Sequence, residues 1–371
     1  MNGPLVRLRF PVERSRGRRY PEFAHPYRND FQRDRDRVIH TRAFRRLEAK
    51  TQVFTPGLSD HFRNRLTHTI EVAQIARTAA SALGLNEDLT EALALVHDIG
   101  HPPFGHAGED QLNVLLKPLG GSFNHNLHAL RIVETLEQRY ARFPGLNLTF
   151  EVREGIVKHS RDLDPGQSPE LDEYLPRLKP TLEAQLIDLA DEIAYDTADL
   201  DDAFSAGLFT MDDAANASPR FGQLQEQTLG QFPGASLREQ FQEILRSLID
   251  GLVTGLVEGT AARAEDAGVH GPEDVWIQRG RLASFTAEAA ATAGDLKGFL
   301  RSQVYFSEPL VSERQNSAAM IGRLFDYFMQ HPDRLPDGYI VEGDPAWRGV
   351  CDYIAGMTDG FFLRTYHELL G

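Results

Sequence analysis

Apolar positions recur at intervals of three and four residues along almost the whole chain, the spacing that lines one face of an α-helix. From Arg65 to Leu83 the repeat runs without Gly or Pro, and Gly84 stands where a C-terminal cap belongs, so a helix is predicted over 65–83. Asn86 is a suitable N-cap for a second helix through Leu89, Ala92 and Leu95 to about Ile99. Gly100 and Pro102-Pro103 must end it, because a residue before proline is pushed out of the helical region. Further helices are predicted over 106–116, 125–140, 151–159, 181–204, 237–256, 286–305, 312–329 and 347–370. Four prolines in 161–180 predict a loop, and the Gly, Pro, Asn and Gln content of 212–237 predicts an irregular insertion. Strand-like patterns are confined to 5–10 and 146–150, too little for a sheet-based core, so the predicted class is all-α.

Composition agrees with a folded helical protein: of 371 residues, 41% are hydrophobic and 25% charged, which excludes a disordered chain. The expected organisation is a basic N-terminal arm (1–35), a catalytic core (36–210) and a C-terminal helical region (211–371) packed on it. No apolar run approaches the roughly 20 residues of a membrane span. Met1–Pro4 leads into an Arg-rich segment with no apolar signal region, so a cytoplasmic location is expected. Cys351 is the single cysteine, which rules out an intrachain disulfide and a cysteine-rich metal site. Any metal must then be held by His and carboxylate. The net charge of −15 is uneven: residues 1–50 carry 14 Lys/Arg against 6 Asp/Glu. Such a segment suits a polyanionic partner, or pairs its arginines with the protein's own acidic groups, the commoner use of charged blocks.

The candidate chemistry is concentrated. His97-Asp98 closes an apolar helix, His101 follows, and Pro102-Pro103 leads to His106 and Glu109, so three histidines and two carboxylates fall within 13 residues. His68 shares a helical stripe with Val72, Ile75, Ala79 and Ala82, one turn from Arg65. A lone histidine on such a stripe is usually a core residue, and only its companions make it a candidate ligand. In 181–204, Asp191 interrupts an apolar face of Ala184, Ile187, Ala194 and Ala198, and burying a carboxylate there demands a cation or strong donors. Tyr195 and Asp199 extend the same line, whereas Asp196, Asp201 and Asp202 read as a solvated face. His68, His97, Asp98 and Asp191 together offer two imidazoles and two carboxylates. That set suits a six-coordinate Mn, Fe, Co or Mg ion with open positions better than a closed zinc site. Such an ion acidifies water and neutralises phosphate, which points to hydrolysis.

These residues resemble the H…HD…D signature of the HD superfamily of metal phosphohydrolases. Longer strings are similar to its deoxyguanosinetriphosphate triphosphohydrolase (dGTPase) branch: Arg63-Asn64-Arg65-Leu66-Thr67-His68, the run from His97 to Glu109, the run from Asp191 to Leu200, and the run from Asp352 to Asp359. The likeness is strong from Asp30 to Phe204 and weak between Ala214 and Asp295. It implies an all-α HD-domain fold in which His68, His97, Asp98 and Asp191 hold a divalent metal. It also implies a catalytic pair of His106 and Glu109, with His101 and Arg65 at the α-phosphate and His125 on the substrate side. Gln52, Tyr195 and Asp199 would meet the sugar, and Arg301 the β- and γ-phosphates. The implied reaction cleaves a deoxynucleoside triphosphate into deoxynucleoside and inorganic triphosphate and rejects ribonucleotides. The resemblance further implies a homo-oligomer, hexamer or tetramer, with a nucleotide or single-stranded nucleic acid as effector. Two alternatives are another HD phosphohydrolase, such as a nucleotidase or phosphodiesterase, and a non-catalytic nucleotide- or nucleic-acid-binding protein. The second would be expected to have lost ligands, and all four stand here.

Overall fold

The structure is a computed structural model that describes residues 3–52, 63–166 and 169–371. The fold is all-α: among the described residues there is no strand, only the isolated bridges Arg18 with Thr149 and Thr51 with Asn64. Helices form where the periodicity places them, at Arg65–Leu83, Glu87–Val96, Gly105–Leu116, His125–Arg131, Phe150–Val157 and Leu182–Ser205. The strand-like pieces form no strand: Val6–Leu8 is a 3-10 turn, and Thr149, the extended residue before Phe150–Val157, makes only the isolated bridge to Arg18.

Capping explains most differences from expectation. Residues 212–237 are not irregular but carry helices Met211–Ala217 and Pro219–Gln231. The Thr210 and Ser218 hydroxyls accept the first free amides, and Pro219 takes the first helical position, where its missing N–H costs nothing. The predicted 347–370 helix is two, Ala346–Ala355 and Asp359–Leu370, with Thr358 capping the second. The helix from Leu237 runs on to Asp266, while that from His125 loosens into a π-helical turn, Ile132–Leu136, and stops at an extended Glu137. Helices outside the predicted set include Asp30–Ile39, begun by a capping box of Asn29 and Gln32, Arg42–Arg46, capped by Thr41, and the short Pro272–Trp276.

The chain forms two compact units, each assembled from separate stretches: residues 1–10, 71–90 and 178–311 in the first, and 11–70, 91–177 and 312–371 in the second. In the first unit Leu182–Ser205, Leu237–Asp266 and Ala287–Leu300 pack on one another. Phe204 stacks on Phe241 at 3.9 Å, and Phe209 meets Phe299 edge-on. The second unit has a core that includes Leu112, Leu116, Ile321, Phe325, Ile354 and Phe362. Arginines of the basic N-terminal stretch there are bound to the protein's own groups. Arg18 reaches Asp34 at 2.5 Å and donates to the Asn147 carbonyl, and Arg37 grips both oxygens of Glu22 at 2.9 and 2.8 Å. Among the described residues no helix is long and apolar enough to cross a membrane.

Candidate active site

Within the second unit, His68 in the first turn of Arg65–Leu83 faces His97 and Asp98, just past the end of Glu87–Val96. One donor atom of each lies within 4.8 Å of the others, and all three residues are buried. The His97 Nδ1 is 2.6 Å from the Ala94 carbonyl, so the tautomer that donates there leaves its lone pair on Nε2, the arrangement of a metal-binding imidazole. Asp98 Oδ2 accepts from Arg65 Nη1 at 2.9 Å, and Oδ1 lies 2.9 Å from His101 Nδ1. Burial alone would raise the Asp98 carboxyl, but the polar groups around it, the His101 ring and the Arg65 guanidinium foremost, outweigh that and hold the group well below the carboxylate range. His101 is pushed the other way: burial, then Arg65 and His125, hold its pKa well below the usual value, so the free imidazole is neutral. These donors fit a divalent cation.

Beyond the turn stands a second group. The His101 and His125 rings stack at 3.9 Å, and His106, largely exposed, meets His101 edge-on at 5.6 Å. Glu109 accepts from the His125 backbone amide and lies 2.9 Å from its Nδ1, with His106 Nδ1 at 3.5 Å. Burial opposes ionisation of Glu109, yet hydrogen bonds from His106 and His125 carry its pKa far below the ordinary value. Its tightest partner is thus His125 rather than His106. Gln52 is beside them: a Cβ on Gly105 would stand 3.4 Å from the Gln52 carbonyl oxygen and 3.0 Å from Arg65 Nη2. The turn has no slack at Gly100 either, where a Cβ would lie 2.0 Å from the His125 carbonyl.

The remaining predicted residues belong to the first unit. Leu182–Ser205 carries Asp191 and Tyr195, both of intermediate exposure, and the buried Asp199. The Tyr305 hydroxyl donates to Asp199 Oδ2 at 2.5 Å, and its ring lies 5.9 Å from that of Tyr195. Burial, then the Asp199 charge, raise both phenols, so each keeps its proton. Arg301 is exposed, with its guanidinium 5.9 Å from the Phe306 ring centre. Asp196 and Asp202 are not on a solvated face: they are 1% and 6% exposed, because this helix is covered on most sides.

Comparison with known proteins bears directly on this arrangement. An HD domain matches residues 65–196, and a phosphohydrolase-associated domain matches residues 283–368. A deoxyguanosinetriphosphate triphosphohydrolase-like protein of Azoarcus sp. (strain BH72) is 46% identical over 357 residues, covering 96% of this chain and 93% of the relative. Proteins of the same description from Bordetella pertussis (44% over 362 residues; 96% and 94%) and Leptospira interrogans (41% over 360; 95% and 93%) are similar along their length. The chain belongs to the dGTPase family of the HD superfamily. As a member of the dGTPase family it is an HD-type hydrolase with a His/Asp cluster able to hold a metal ion.

What the sequence reading of this dGTPase-family chain missed is the support around the histidines. His128 Nδ1 lies 2.9 Å from the Gly100 carbonyl, and its Nε2 lies 3.9 Å from Asp352, which accepts from Arg131 Nε at 2.5 Å. Burial, opposed by the bond to Gly100, pushes His128 down to about 3, so it is a neutral prop for the turn between Asp98 and His101. Tyr305 was also missed. It lies 106 residues from Asp199, and no periodic pattern joins them.

Proposed function

We propose that this dGTPase-family hydrolase cleaves deoxynucleoside triphosphates into deoxynucleoside and inorganic triphosphate. The observation that carries the reading is the juxtaposition, in one unit, of the His68–His97–Asp98 donor set with His101, His106, Glu109 and His125. Asp191 would complete the ligand set. A divalent ion so held would supply charge neutralisation and a lowered pKa for water.

The chain's own groups do the rest. Arg65 is a fixed positive charge for the α-phosphate, with His101 beside it to meet a phosphate oxygen. Water adds at the α-phosphorus, the bond to the 5′-oxygen breaks, and that oxygen takes a proton from solvent, to which His106 later returns the one it gained. His106, exposed and oriented by Glu109, takes the proton from water. Asp199, one oxygen already held by Tyr305, accepts from the 3′-hydroxyl, and the Tyr195 ring fills the space of a ribose 2′-hydroxyl. Arg301 and Gln52 meet the outer phosphates and the sugar.

The test is to incubate the protein, supplied in turn with Mn, Mg, Co or Fe, with each deoxynucleoside triphosphate and with GTP, and to separate the products by anion exchange. Deoxynucleoside with triphosphate is expected. Release of orthophosphate or of a nucleoside monophosphate would overturn the reading in favour of another HD phosphohydrolase. Equal rates on dGTP and GTP would remove the sugar gate.

A further inference from the structure

Phe104 precedes the Gly105–Leu116 helix with φ +61°, in the left-handed region that side-chain-bearing residues disfavour. It occupies the N-cap position, yet its side chain caps nothing. Its N–H donates instead to Asp359 Oδ1 at 3.0 Å, and its ring meets Phe362 edge-on at 5.1 Å, on the same Asp359–Leu370 helix. The other Asp359 oxygen accepts from the Thr51 amide at 2.7 Å and from the Thr51 hydroxyl. Next in sequence, buried Lys50 donates to the carbonyls of His101 and Ala355, the latter at 3.0 Å. Three stretches of chain, 50–52, 101–105 and 355–359, are therefore tied by the Asp359 carboxylate and the Lys50 amine, both at least nine-tenths buried. Those stretches bear Gln52, His101 and the start of the helix that carries His106 and Glu109.

We infer that Asp359 is a positioning residue of the active site: it holds the left-handed turn at Phe104-Gly105, and so sets His106 and Glu109 against His101 with Gln52 beside them. The role of the histidines rests on the proposed hydrolytic reading; the way they are held does not. A carboxylate suits the task because two oxygens accept three bonds, and its negative charge lies at the start of a helix, where the exposed amides favour it. Asp359 touches the reaction only through these groups, and displacing a catalytic side chain by about 1 Å costs up to ~10²-fold in rate.

The test compares Asp359→Asn, which keeps the size and loses the charge and one acceptor, with Thr51→Val, which removes a single hydroxyl bond. For Asp359→Asn the expected result is a fall in kcat on dGTP of about 10- to 100-fold with KM and bound metal little changed. Backbone amide exchange should rise in peptides covering 101–108 and 49–52 and stay unchanged over the rest of the chain. Thr51→Val should show a smaller effect of the same kind, and it carries the test should Asp359→Asn not fold. Wild-type kcat and exchange in both variants would overturn the inference, as would exchange rising throughout the chain together with metal loss. Were the unmodified protein to release no triphosphate, the hydrolytic reading would fail, and the exchange measurement would still decide how the turn is held.

Discussion

Asp98 has both oxygens engaged, one by Arg65 and one near His101, while standing among the metal donors. Asp98→Asn removes the charge that balances Arg65 as well as a ligand. Metal content measured on the purified variant should therefore fall to background along with turnover, and a variant that keeps stoichiometric metal would refute the ligand set. His106 sits differently, exposed and linked to Glu109 at 3.5 Å. His106→Ala should keep its metal and lose about 10²- to 10⁴-fold in kcat, the usual worth of acid–base help, with metal loss as the contrary outcome. At this scale the sequence was most readable where the chemistry is local: His97, Asp98, His101 and His106 are neighbours along the chain. It was least readable for Glu109, because periodicity shows His106 one helical turn away and gives no sign of His125, which returns to it from 16 residues on.

Among elements, long uninterrupted helices such as Arg65–Leu83 were legible because one hydrophobic stripe dominates. The helices of 211–231 were not, because their stability comes from caps and burial against neighbours rather than from propensity. Leu182–Ser205 shows the same limit. Its stripe predicts a buried Asp191, which instead is of intermediate exposure, and a helix covered on most sides buries Asp196, which a one-face reading assigns to solvent. Burial, then Glu192, push the Asp196 carboxyl up to about 7. A pKa raised on folding means that the folded state binds the proton more tightly. The stability this gives is complete below the unfolded value near 3.8 and is lost as the pH rises through about 7. Asp196→Asn, which stays neutral, should therefore gain stability relative to the wild type between pH 5 and pH 8, measured by urea unfolding with a chelator present. A difference independent of pH would exclude this origin.

Over the whole molecule, the basic N-terminal stretch is the clearest case of a pattern whose meaning composition alone left open. Arg18 is spent on Asp34, whose carboxylate is fully buried and also accepts from Thr149, and this joins residues 18, 34 and 149 of the second unit. Arg18→Ala strands that charge and should cost about 3–5 kcal/mol in denaturant unfolding. A loss below about 1 kcal/mol, typical of an exposed pair, would show that the contact contributes little. The bond from Phe104 to Asp359 spans 255 residues, and this has a consequence for synthesis. At a ribosomal rate of about 5–20 residues per second, the candidate metal ligands emerge roughly 10–50 s before the carboxylate that locks the adjoining turn. A nascent chain thus carries these candidate ligands well before the carboxylate that ties the adjoining turn has been made, so the turn at Phe104-Gly105 closes only when synthesis is nearly finished.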